Sequence, residues 1–454
     1  MGALDKLWDL GDEYHRDRFK QVDEVTEVDY SNGIPVARDV ETGELIRINF
    51  NKNDVTARVG VFGDSGSGKT LGCKSILSRV YDDGWNIMHF SDVKHDFSDI
   101  SHENAAAKDM VETLGLAEGE EPHPVPKKIF QPRFLYDEYN DGKPSYVEPF
   151  SLGFKDVSEA DFKSLFTSTS QAQERALNNL LATIDLEEQN YKKLKQELDN
   201  LELRNDSGDM LEGAIKDSID EMQNEKLVSS QFRKDLFRYS EAWRCHDCNG
   251  FVYPGEKKEH QDHQLEQMPT VLVLGLEKYR EYFPEESHKF QFYVSAVLDN
   301  FIDARKKKQI GKPYIAFFDE AHYVIPRDED SPAKAKVDSL VNVTGRDNDV
   351  GLMISTQKPS QIPMPDKTSR FDITGNLKDI FIAENLNADE WGDLLNTFNF
   401  YNSSNRQKWK DRINSMDEKQ FLYINTRGNA NVEGPEDCPV VEFLSPLWRH
   451  PWHT

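Results

Sequence analysis

Apolar and polar residues along this chain fall into two kinds of stretch. Some are short apolar runs of strand length, others repeat near every third or fourth position, and their order predicts an α/β protein. Ile34-Pro35-Val36-Ala37-Arg38 and Leu45-Ile46-Arg47-Ile48-Asn49-Phe50 flank a turn at Glu41-Thr42-Gly43 and predict two strands of a hairpin or small cap. Val59, Val61 and Phe62 predict a third strand, and Leu71, Ser75 and Ile76 the helix that follows. A fourth strand, through Ile87-Met88-His89-Phe90, ends in the polar cluster Ser91-Asp92-Val93-Lys94-His95-Asp96. Ligands of parallel sheets meet the carboxyl ends of strands, so Asp92, Lys94 and Asp96 either face a ligand there or form a solvated turn.

Residues 117–148 are acidic and proline-rich, with one short strand at Lys128-Ile129-Phe130. From 157 to 243 the pattern is helical. Tyr191, Leu194, Leu198 and Leu201 share a helix face, Asn205 to Asp209 interrupts it, and Leu211, Ile215, Ile219 and Met222 continue towards Leu236. This reads as a helical hairpin whose leucine stripe packs within the chain or serves as a dimer seam. Further on, Val271 to Leu276, Tyr314 to Phe318 and Gly351 to Ser355 predict buried strands, and 285–307 a helix. That helix ends in Arg305-Lys306-Lys307-Lys308. Cations suit a helix C-terminus, and contact with DNA phosphate is the other reading.

Composition narrows the picture. A chain of 454 residues has length for two or three domains. Its first twenty residues are too charged for a signal peptide, and no apolar run approaches membrane-spanning length. These features predict a soluble, cytoplasmic protein that does not enter a membrane. Four cysteines are too few for a disulfide scaffold. The formal net charge of −26 argues against general affinity for nucleic acid, so a polyanion would need a local basic strip. Lys334, Lys336, Arg327 and Lys358, on loops beside two of the strands, are candidates for it.

The chemistry concentrates at Gly63-Asp64-Ser65-Gly66-Ser67-Gly68-Lys69-Thr70, between the third strand and its helix. G-x-x-x-x-G-K-T is a phosphate-binding loop. A polyphosphate needs several converging backbone N–H groups, and Gly63, Gly66 and Gly68 let the loop curl around it. Lys69 supplies a positive charge for the β- and γ-phosphates, Thr70 a hydroxyl for Mg²⁺, and the helix beginning near Leu71 its positive end.

A second half for such a site lies far downstream. The apolar strand Tyr314-Ile315-Ala316-Phe317-Phe318 runs into Asp319-Glu320-Ala321-His322. Carboxylates ending a buried strand are costly unless they serve a cation. Asp319 would hold Mg²⁺, and Glu320 would polarise the attacking water. Gln357, ending the next strand, can reach a γ-phosphate as a sensor. Arg346 would complete a neighbouring subunit's site as an arginine finger, or make a salt bridge within its own subunit; Arg370 is a weaker candidate.

Cys245-His246-Asp247-Cys248 and His260-Gln261-Asp262-His263 supply two thiolates and two imidazoles, enough for a closed tetrahedral Zn²⁺ site. The gap between the histidines is one residue short of the usual finger range, and His246 is a substitute ligand. Four protein ligands leave no open position, so Zn²⁺ on Cys245, Cys248, His260 and His263 would be structural; cysteines and histidines of a loop without a metal are the other reading.

Taken in order, the phosphate loop, P-T-V-L-V-L-G-L, F-F-D-E-A-H-Y-V-I-P and G-R-D-N-D-V-G-L-M-I-S-T-Q-K-P-S-Q-I-P resemble the HerA/FtsK superfamily of DNA-translocating ATPases, most closely the archaeal HerA branch. The resemblance spans roughly residues 45–430. It implies a RecA-like P-loop core, sites shared between the subunits of a homohexamer, and a central channel through which double-stranded DNA is pumped by ATP hydrolysis. On that analogy Lys69, Glu320, Gln357 and the finger Arg346 are catalytic. Gly63 to Leu71 cradle ATP, and Thr70 and Asp319 hold Mg²⁺.

The family usually carries a sizeable β-barrel before the phosphate loop, whereas fewer than sixty residues precede Val59 here. That departure, with the extra insertion, suits a virus- or plasmid-encoded genome-packaging or conjugative relative. Its partners would be a nuclease, capsid or portal-type protein, and it would be virion-associated if viral. A nucleotide-gated scaffold and a secretion or conjugation ATPase acting on protein are the alternatives.

The expected layout is a β-rich cap over 1–57 and the ATPase core over 58–156 and 269–430. Between the two core parts lie a helical hairpin over 157–243 and a zinc knuckle over 244–268; a C-terminal tail occupies 431–454.

Overall fold

The computed structural model describes residues 33–50, 57–92, 125–133, 136, 147–150, 152, 156–164, 178, 231–248, 250–276, 287–311, 313–328, 331–341, 349–364, 371–398, 400, 404–426, 432 and 434–448. The leucine stripe of the helical hairpin, Lys94, Asp96, Arg346 and Arg370 lie outside the described residues, as does the side chain of Asp92.

Twelve strands make one sheet. In spatial order they are β2 (Leu45–Ile48), β1 (Ile34–Asp39), β15 (Val440–Phe443), β14 (Phe421–Asn425), β13 (Asp379–Ala383), β3 (Arg58–Phe62), β12 (Val350–Thr356), β11 (Tyr314–Phe318), β4 (Asn86–Asp92), β10 (Val271–Gly275), β5 (Lys127–Pro132) and β6 (Val147–Phe150). From β13 to β6 every pairing is parallel; from β13 outward to β2 every pairing is antiparallel. Central parallel strands such as β10 and β11 read as unbroken apolar runs because both of their faces are buried.

Alternate residues of each strand serve opposite cores. Val59, Val61, Val271, Val273, Ile315, Phe317, Met353 and Phe381 enter one; Phe62, Leu272, Leu274, Ala316, Phe318, Leu352, Ile354, Ile380 and Ile382 enter the other. The first is closed by α1 (Lys69–Asp82), through Cys73, Ile76, Leu77 and Val80. The second is closed by α4 (Ser287–Lys306), α5 (Pro332–Ser339) and α6 (Ala388–Thr397), with Phe162 of the short α2 (Glu159–Ser164). Burying each large apolar side chain contributes about 1.5–3 kcal/mol, so most of the fold's stability lies in these two layers.

The predicted hairpin of β1 and β2 is part of this sheet, because β1 pairs with β15. Residues read as a C-terminal tail therefore belong to the core through Val440–Phe443. Trp448 then packs edge-on against Tyr81 at 5.9 Å, and the Leu447 N–H donates to Ser78 Oγ. A four-residue strand between Pro439 and Pro446 carries too short a pattern to announce itself. At Gly72, an added Cβ would overlap the Phe443 ring, so glycine lets α1 lie directly on β15.

A second, three-stranded antiparallel sheet holds β8 (Gly250–Val252), β7 (Ala242–Cys245) and β9 (Leu265–Met268) in that order, following α3 (Gln231–Tyr239). Residues 269 and 270 connect β9 directly to β10.

Candidate nucleotide-binding site

The site lies at the carboxyl ends of β3, β12, β11 and β13, which the sheet order sets side by side. Strand β3 delivers the chain to Gly63, whose N–H donates to the Thr356 carbonyl at 3.3 Å. A side chain at Gly63 would meet Ala383 Cβ at 2.5 Å and Ser67 Oγ at 2.6 Å. Gly66 and Gly68 have φ of 83° and 88°, left-handed values that cost an L side chain roughly 1–2 kcal/mol. Gly68 caps α1, so the first N–H groups of that helix open towards the loop. Lys69, almost buried, bends back to donate to the Asp64 carbonyl at 3.3 Å.

Asn385, just after β13, holds the tip of this loop from outside. Its Oδ1 accepts from the Asp64 N–H at 3.0 Å, and its Nδ2 donates to the Ser65 carbonyl at 3.3 Å. Nothing in the sequence marks Asn385, because an amide just after a five-residue strand looks like any loop residue.

Asp319 and Glu320 end β11 with 5% and 1% of their surfaces exposed. Ser355 Oγ donates to Asp319 Oδ1 across the β11–β12 pair. Glu320 has φ 45° and ψ 51°. That left-handed backbone costs a non-glycine residue about 1–3 kcal/mol, and the surroundings must hold it in place. Gln357 does part of this: its Nε2 donates to Glu320 Oε1 at 2.7 Å, and its N–H faces Oε2 at 3.4 Å. His322 Nδ1 lies 3.7 Å from Glu320 Oε2 and is hydrogen-bonded to Thr356 Oγ1 at 2.7 Å.

Beneath both halves lies Cys73, in the second turn of α1. Burial raises its thiol pKa most, and the Asp319 carboxylate raises it further; a hydrogen bond with Ser355 and the Lys69 charge oppose them. The same thiol feels Lys69, Asp319 and Glu320 at once, so the phosphate loop and the carboxylate pair share one neighbourhood.

The fold thus brings Gly63 to Leu71, Asp319, Glu320 and Gln357 together at the carboxyl ends of neighbouring interior strands. Two of the basic candidates are committed elsewhere. Lys336 pairs with Asp161 at 2.6 Å and Asp299 at 2.5 Å, tying α5 to α2 and α4. Lys334 is buried and donates to the Arg327 carbonyl at 2.9 Å. Arg327 in turn donates to the Ser360 carbonyl, while Lys358 is exposed. At the end of α4, Arg305 donates to the Ile310 carbonyl at 2.7 Å, which ties it to the segment that follows the helix.

The four ligand atoms of Cys245, Cys248, His260 and His263 lie within 4.8 Å of one another, at one end of the small sheet. His246 is turned away, 3.3 Å from Glu266. Among the described residues, no helix is long and apolar enough to cross a membrane.

Residues 39–245 match the family model for the central domain of helicase HerA. No curated protein matches the chain. Among solved structures, VirB4 of Thermoanaerobacter pseudethanolicus is similar in fold, at 11% identity and TM-score 0.54, over 94% of this chain and all of that one. The bacterial conjugative coupling protein TrwBΔN70 aligns at 9% identity and TM-score 0.46, over 93% of this chain and 92% of its own. The genome packaging NTPase B204 of Sulfolobus turreted icosahedral virus 2 aligns at 15% identity and TM-score 0.25, over 39% of this chain and 67% of its own. Over residues 39–245, which hold the phosphate loop, the chain matches the HerA central-domain model, and the resemblance to HerA is borne out across that span.

Proposed function

We propose that this chain is an ATPase that moves double-stranded DNA through a ring of its own copies. The observation that carries the ATPase part of the reading is the Gln357–Glu320 hydrogen bond of 2.7 Å beside the phosphate loop; the DNA and the ring rest on the resemblance to HerA-type proteins. A catalytic carboxylate must meet a water, and here its Oε1 is engaged by the very amide that can instead turn to a phosphate.

The residues divide the work as follows. Backbone N–H groups from Gly63 to Leu71 receive the polyphosphate of ATP, and Lys69 leaves the Asp64 carbonyl to place its charge on the β- and γ-phosphate oxygens. Thr70 and Asp319 are the hydroxyl and carboxylate that would hold Mg²⁺, which offsets phosphate charge when bound. Ser355 fixes Asp319 in place through its hydroxyl. Gln357 passes from Glu320 to the γ-phosphate, and the released Glu320 carboxylate orients a water for in-line attack and accepts its proton. Arg346 would enter the site of a neighbouring copy and stabilise charge on the transferring phosphoryl group. DNA would contact exposed cations such as Lys358, since Lys334 and Lys336 already have partners inside the subunit.

ATP hydrolysis measured with and without duplex DNA tests the reading. DNA should stimulate turnover, the Lys69→Ala variant should lose it, and electron micrographs should show six subunits closed around a duplex. Turnover indifferent to DNA, with no oligomer, would sink the proposal. Nucleotide binding without turnover would favour a gated scaffold, and stimulation by protein instead of DNA a secretion ATPase.

A further inference from the structure

The structure assigns a structural Zn²⁺ site to Cys245, Cys248, His260 and His263, one that closes the knuckle on the side of the sheet opposite the nucleotide. Cys245 Sγ lies 3.4 Å from His263 Nδ1, and Cys248 Sγ lies 3.5 Å from His260 Nδ1 and 3.3 Å from His263 Nδ1. The two Nδ1 atoms are 3.1 Å apart. A tetrahedral zinc with bonds of about 2.3 Å to sulfur and 2.0–2.1 Å to nitrogen requires S···N edges of about 3.6 Å and an N···N edge of about 3.3 Å. These four separations stand close to those edges, and all four ligand atoms lie within 4.8 Å of one another.

The chain explains how so short a histidine spacing works. His260 ends the 3₁₀ turn Lys257–His260, and the His263 N–H bonds to the His260 carbonyl. With three residues per turn, positions i and i+3 lie on one face. The thiolate loop is fixed from the other side: the His246 N–H donates to the Gln264 carbonyl, and Asp247 Oδ2 accepts from the Gln264 N–H at 2.8 Å. Both ligand pairs are therefore held by backbone bonds. Two sulfurs and two imidazoles select zinc over the oxygen-seeking Mg²⁺ and Ca²⁺, and four protein ligands exclude a substrate water.

The knuckle needs a metal because its own core is small. Val252 and Cys245 are buried within it, and Tyr253 is spent on docking. Units below about 40 residues usually require a metal or disulfides to hold together. The docking end is at the amino ends of β5 and β10. Tyr253 OH reaches the Lys127 carbonyl at 3.5 Å, and Lys128 Nζ sits 4.7 Å and 5.1 Å from the ring centres of Tyr239 and Tyr253. Glu148 completes the joint, accepting from Lys128 at 2.9 Å and Tyr239 OH at 2.8 Å. No residue of this joint belongs to the nucleotide site, so metal and nucleotide should report independently.

The test uses the full chain as purified, washed with a weak chelator. Elemental analysis should find zinc equimolar with protein, and X-ray absorption should show two sulfur and two nitrogen neighbours. His263→Ala should lose most of the zinc and expose 242–268 to protease, while His263→Cys, which restores a ligand atom, should retain it; ATP binding should persist in both. Sub-stoichiometric zinc, oxygen neighbours, a Cys245–Cys248 disulfide, or unchanged zinc in His263→Ala would each overturn the assignment. If His263→Ala fails to fold, zinc content and absorption of the unaltered chain still decide it.

Discussion

The two ends of the parallel sheet solve the same problem by opposite means. At the carboxyl ends, a phosphate loop is held by a residue 321 positions away, Asn385, and faces carboxylates from another distant strand. At the amino ends, the Cys/His cluster draws on residues no more than 18 positions apart. The first site exists only because a sheet brings remote strands together. The second needs just a hairpin and a turn to bring its four side chains together. A site built on the sheet is precise but depends on the whole fold. A site built on local spacing can be carried as a module, inserted between the connection from β6 and the start of β10 without disturbing the strands on either side.

The contrast can be broken most sharply at Glu320. Replacing it with Gln removes the proton acceptor and keeps the shape, so ATP turnover should fall roughly 10²–10⁴-fold, with ATP binding retained and zinc content unchanged. Loss of zinc in that variant would show that the two ends communicate. Gly72→Ala acts on the sheet that supports the first site. The added methyl meets the Phe443 ring, and overpacking of this kind costs about 1–3 kcal/mol, read as a lower melting temperature of the chain. An unchanged melting temperature would mean that β15 yields without strain. Asn385→Ala is the mildest. Losing two hydrogen bonds at the loop tip, at about 1 kcal/mol net, should raise KM for ATP roughly fivefold and leave kcat within a factor of two. A fall in kcat with unchanged KM would instead place Asn385 among groups that act in the transition state.

How far the sequence foretells each region follows from the same contrast. Gly66 and Gly68 were legible because the backbone they permit is closed to other residues, Gly63 because a side chain there would meet Ala383 and Ser67, and Asp319-Glu320 because carboxylates after an apolar strand stand out. Cys245, Cys248, His260 and His263 were legible through spacing alone. Asn385 and Ser355 were not, since an amide or hydroxyl at a strand end looks like any loop residue until the sheet order is known. Lys336 misled for a related reason: its partner Asp161 lies 175 positions away, and a cation beside a site reads as free until that partner is seen. The pairing of β15 with β1 was hidden by brevity. Four residues bounded by prolines carry no periodicity, and their place is fixed by the backbone groups that β14 and β1 leave open on either side.

The position of β3 has a consequence for how this protein is made. Its neighbours in the sheet are β12 and β13, so the ribosome synthesises the strand that leads to the phosphate loop close to 290 residues before either partner emerges. At about 5–20 residues per second, that is a wait of roughly fifteen to sixty seconds. For that time Val59, Val61 and Phe62 have no strand to pair with, and α1 lacks Phe443 and Trp448 to lie against. The phosphate loop is translated early and shaped late.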